Sequence, residues 1–97
     1  MPTTTPTRRA RTLSPQAYAL WELLSATRNR LGFAGVPTAR CERVIAETAR
    51  REGEEVVPLH SLVTELQVRG LVHFEALVNG VLAVWVVEPA RIAEVRG

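Results

Sequence analysis

An α+β domain, a cluster of three helices followed by a C-terminal β-hairpin, is what this 97-residue chain predicts, on three observations. Apolar residues recur at helical spacing in three successive segments that end at Gly70. From Leu71 onward the period changes to two. Two apolar runs then flank Asn79-Gly80, the strongest short hairpin signal, because both turn positions need positive φ.

The elements follow in order. Residues 1–13 hold Pro2, Pro6 and threonines without periodicity and read as a flexible arm ahead of a domain over residues 14–97. Ser14-Pro15 is a helix start, with a capping side chain followed by a proline whose missing N–H costs nothing in the first turn. Ala17, Leu20, Trp21, Leu24 and Leu31 continue at helical spacing, and Gly32 is expected to end that helix. Gly35, Val36 and Pro37 read as a turn, with Thr38 capping a second helix whose inward stripe is Cys41, Val44, Ile45, Thr48 and Ala49. Its outer side carries Arg40, Arg43, Glu47, Arg50 and Arg51, and Gly53 ends it. Val56 and Val57 are expected to pair briefly as a strand. Pro58 opens a third helix with Leu59, Leu62, Val63 and Leu66 inward and His60, Ser61, Thr64, Gln67 and Val68 on the opposite face.

A two-residue hairpin loop sets Val78 opposite Val81, Ala76 opposite Ala83, Phe74 opposite Trp85 and Val72 opposite Val87. All eight are apolar, so this face is expected to pack on the helices. The other face holds Leu71, His73, Glu75 and Leu77 across from Leu82, Val84, Val86 and Glu88. Apolar surface of that extent points to a protein contact, a homodimer or another protein, at Leu77, Leu82, Val84 and Val86. The alternative is that the arm or the C-terminal tail folds over it. Pro89 ends the second strand, and residues 90–97 are expected to add a helical turn.

Composition narrows the function. With 46% hydrophobic and 23% charged residues, the chain has the make-up of an ordinary globular domain. Its longest apolar run, residues 81–87, is far short of the ~20 residues of a membrane helix. No secretory signal is expected in the first residues, and the single Cys41 fits a reducing cytoplasm. All twelve basic residues are arginine and all ten acids glutamate, for a net charge of +2. Arg8, Arg9 and Arg11 stand in an arm without acids, while the rest sets nine arginines against ten glutamates. The arm is either a phosphate-following segment or a solvated tail.

Leu62, Leu66, Gly70, Leu71 and Val72, leading into a hairpin that turns at Asn79-Gly80, carry a resemblance. The stretch is similar to the end of the winged helix-turn-helix domain of ArsR/MarR-type bacterial transcriptional regulators, and the pattern extends over residues 14–87. The resemblance implies that the third helix lies in the major groove of double-stranded DNA with His60, Ser61, Thr64 and Gln67 at base edges. It places Arg8, Arg9, Arg11, Arg40, Arg43 and Arg69 on phosphates, in a dimer reading two half-sites. Glu54 and Glu55 ahead of that helix, and a hairpin tip without arginine, favour the alternative of an adaptor or subunit that docks on another protein.

Catalysis, metal and cofactor are not expected. His60 and Ser61 are adjacent on a helix and point about 100° apart, which prevents a direct proton relay. Cys41, His60 and His73 sit on three elements without ligand spacing, and Cys41 reads as a small core residue. Gly32 and Gly35 lack the lysine of a phosphate loop. Of the aromatics that could stack on bases, Trp21, Phe74 and Trp85 fall on faces expected to be buried, so packing is their expected use, as it is for Phe33.

Overall fold

The computed structural model describes residues 13–90. Residues 1–12 of the expected arm and 91–97 of the expected last helical turn lie outside them. The elements run α1 (Pro15–Thr27), β1 (Phe33–Pro37), α2 (Thr38–Glu52), α3 (Leu59–Val68), β2 (Val72–Val78) and β3 (Val81–Val86). Three helices pack against one face of an antiparallel sheet whose order is β1-β3-β2. This is a winged-helix-like α+β architecture.

α1 begins as its sequence predicts. The Ser14 hydroxyl accepts from the Ala17 N–H at 3.2 Å, and Pro15 occupies the first turn. It ends five residues before Gly32, and Leu31, expected on the apolar stripe, is 74% exposed. The cause is Asn29, whose side-chain oxygen accepts from the N–H groups of Leu31 and Phe33 and bends the chain out of the helix. Gly32, at φ +95°, completes the bend; its carbonyl accepts from Val86 N–H at 2.7 Å. A side chain there would be strained and would meet the Trp85 ring at 3.7 Å.

That bend delivers a strand where a turn was expected. β1 alternates, with Ala34 and Val36 buried, and pairs with β3 through Phe33↔Trp85, Gly35↔Ala83 and Pro37↔Val81. Pro37 is tolerated because β1 is an edge strand. Thr38 does not cap α2: it is the first helical residue, and its N–H donates to the Gly80 carbonyl at 2.8 Å, fastening the helix to the hairpin turn. α2 buries Cys41, Ile45, Thr48 and Ala49 and keeps its arginines outside, as expected.

The hairpin turns at Asn79-Gly80, with φ +54° and +75°. The first three pairs, Val78↔Val81, Leu77↔Leu82 and Ala76↔Ala83, follow the expected register. A bulge at Glu75 then shifts it, so that Phe74 opposes Val84, His73 opposes Trp85 and Val72 opposes Val86. The expected Phe74–Trp85 and Val72–Val87 pairs do not form, and Phe74 and Trp85 end on opposite faces.

The faces themselves are also exchanged. Leu82, Val84 and Val86, expected at an interface, are buried in the chain's own core with Leu20, Leu24, Ile45, Leu62, Leu66 and Leu71. Val78, Val81, Trp85 and Val87, expected to meet the helices, are exposed. Every residue of β3 is apolar, so period two alone could not say which set turns inward. The branched aliphatics fill the space above α1 and α3, and the larger indole of Trp85 lies outside over Gly32, edge-to-face with Phe33 at 6.4 Å.

Candidate interaction surface on the third helix and the wing

α3 is held at both ends. At its start, Gln16 of α1 is almost wholly buried and bonds the preceding loop three times. Its amide nitrogen donates to Glu55 O (2.8 Å) and Glu54 Oε1 (3.2 Å), and its oxygen accepts from Val57 N–H (2.9 Å). Val57 therefore gives its N–H to a side chain, and the brief strand expected at Val56 and Val57 is a loop. Further along α3, the Glu65 carboxylate accepts from the backbone N–H of Ser14 at 2.9 Å and from its hydroxyl at 3.0 Å. The bond fixes α3 to the head of α1.

With Leu59, Leu62, Val63 and Leu66 buried beneath it, α3 turns His60, Ser61, Thr64 and Gln67 outward, all exposed. The Thr64 hydroxyl donates to the His60 carbonyl at 2.9 Å and keeps its acceptor capacity. The side chains of His60, Ser61 and Gln67 bond no other described residue. Between α3 and β2 lies a cleft of about 90 Å³, lined by Leu59, Val63 and Leu82, by Phe74 and Leu77 of the wing, and by His60, Thr64 and Gln67 of the helix. Its volume is well below the ~300–1,000 Å³ of small-molecule sites. Leu77 thus faces this cleft beside the buried Leu82, while Val84 and Val86, with which they were grouped, are buried and do not line it. Sequence reasoning missed the part played here by Phe74, because the Glu75 bulge decides which way it points.

The charge around this surface is sparse. Arg40 and Arg43 are exposed on α2. Arg69, at the end of α3, is half-buried, and its Nε is buried without a hydrogen-bond partner among the described residues. Arg8, Arg9 and Arg11 lie outside the described residues. Glu65 is engaged by Ser14, and Glu54 by Gln16. Cys41 is buried, and desolvation, with the nearby Glu42 charge adding to it, pushes its thiol up to about 11. Among the described residues no group of three or more His, Cys, Asp or Glu is placed to hold a metal ion, and no helix is long and apolar enough to cross a membrane.

Comparison with protein-family models, with curated proteins and with solved structures found no match to this chain.

Proposed function

We propose that this chain is a DNA-binding winged-helix protein, a small dimeric regulator of transcription of the kind found among ArsR/MarR-type proteins, working in the cytoplasm. The observation that carries the reading is the exposed row His60, Ser61, Thr64 and Gln67 on a helix anchored at both ends. These are hydrogen-bonding groups of the kind that read base edges in the major groove. Gln67 offers a donor and an acceptor to adenine, Ser61 and Thr64 suit either kind of edge, and the His60 imidazole adds a further polar group. Arg40, Arg43 and Arg69, with Arg8, Arg9 and Arg11 of the arm, would follow the phosphates and supply most of the affinity.

A second reading is favoured by the wing. Its tip, from Leu77 through Val78, Asn79, Gly80 and Val81 to Leu82, has no arginine, and Phe74 and Leu77 form an apolar wall beside α3. Those features suit an adaptor whose cleft takes an apolar side chain of another protein.

A mobility shift with random-sequence duplex at low and high salt separates the two. The DNA reading expects a shifted band at low salt that weakens steeply as salt rises. In a selected site, Gln67→Ala is expected to relax preference at one base pair by about 1–3 kcal/mol. No shift at low salt would overturn DNA binding and leave the adaptor.

A further inference from the structure

The cleft beside α3 sets an apolar wall against the polar row. His60, Thr64 and Gln67, about one helical turn apart, form its rim, and Phe74 and Leu77 of β2 stand across from them over a floor of buried aliphatic side chains. Phe74 and Leu77 pair with the buried Val84 and Leu82 of β3, so both turn towards the helix side of the sheet. They stay open all the same, at 41% and 47% exposure. Glu75, between them in sequence, is exposed at the bulge and does not line the cleft. We infer that this wall receives the C5-methyl group of a thymine in the site that α3 reads. The inference rests on the DNA reading above and names a base that the site must contain.

Three observations select the methyl group. The rim residues that would touch base edges are the same residues that line the cleft, so the wall flanks the same base pairs. From His60 to Gln67 the helix advances ~10 Å, about three base-pair steps of ~3.4 Å. Among the described residues no arginine and no carboxylate lines the cleft, so its wall has nothing to offer a phosphate. The floor of the major groove presents donors, acceptors and one apolar group, the thymine methyl, for which a phenylalanine is a suitable contact. The cleft, about 90 Å³, has room for a methyl, which is close in size to a water molecule of ~30 Å³. Rim and wall also agree in what they ask for. Gln67 suits adenine, whose partner is thymine, so the two contacts are met by one A·T pair or by two neighbouring ones.

The test takes sites selected by the full chain from random duplex and replaces each thymine in turn by deoxyuridine, which lacks only the methyl. One replacement, at or next to the pair where Gln67→Ala relaxes preference, is expected to weaken binding about fourfold, the worth of one buried methyl. In Phe74→Ala and in Leu77→Ala the thymine and deoxyuridine duplexes should bind alike, while the far-ultraviolet dichroism stays native. Both side chains are about half exposed, so neither truncation empties the core. A selected site in which no methyl matters, or which holds no thymine, would overturn the inference and leave DNA binding standing. A methyl effect that both variants keep would trace it to the stiffness of the duplex and overturn the inference too. So would binding without any preferred sequence. No shifted band on any duplex at low salt would instead remove the DNA reading, and the inference with it.

Discussion

Cys41 shows how a single side chain ties chemistry to packing. It faces inward on α2, fully buried, and its thiol is held up to about 11 against an ordinary 9.0. The unfolded chain sheds this proton near 9 while the folded one keeps it to about 11. The folded state therefore binds more protons between those values, and stability falls as pH rises through them. Below 9 the contribution is fully present. Urea midpoints measured between pH 9 and 11 should fall more steeply for the wild type than for Cys41→Ala. The same burial makes the thiol a poor nucleophile, so alkylation at neutral pH should follow unfolding.

At the scale of elements, the position of α3 depends on one amide of α1. Gln16 closes three hydrogen bonds to the 54–57 loop, and each is lost together with its solvent-poor surroundings in Gln16→Ala. That substitution is expected to cost about 1–3 kcal/mol in urea unfolding, despite alanine's better helix propensity. Gln16→Glu should cost more, since it sets a carboxylate against Glu54 and the Glu55 carbonyl. α3 was legible in the sequence because Leu59, Leu62, Val63 and Leu66 alternate with polar residues, which gives the helix one unambiguous inner side. Its outward row was legible for the same reason. β3 was not, because apolar residues at every position leave its two sides equivalent until the helices choose between them. β1 was hidden because Gly35 and Pro37, residues typical of turns, alternate with the buried Ala34 and Val36. The end of α1 was hidden because Leu31 keeps helical spacing while Asn29 diverts the backbone. The cleft beside α3 depends on the bulge at Glu75, for which the sequence offers no signal.

On the whole molecule, charge and fold are separated. The described residues near α3 carry few free cations, while three arginines stand ahead of Ser14, whose N–H and hydroxyl are bound to Glu65. If α3 reads DNA, Ser14 stands beside the helix that enters the groove. Removing residues 1–12 should then lower the slope of log affinity against log salt by about 2 to 3, close to one counterion per arginine. An unchanged slope would make the arm a passive tail. The early and late parts of the described chain are also joined. β1 pairs with β3, and the Trp21 indole N–H donates to the Glu88 carbonyl, 67 positions further on, at 2.8 Å. During synthesis, then, the first helix and first strand leave the ribosome without their partners. The core can be completed only after Glu88 has cleared the exit tunnel, so until that moment the nascent segment exposes the surfaces that chaperones bind.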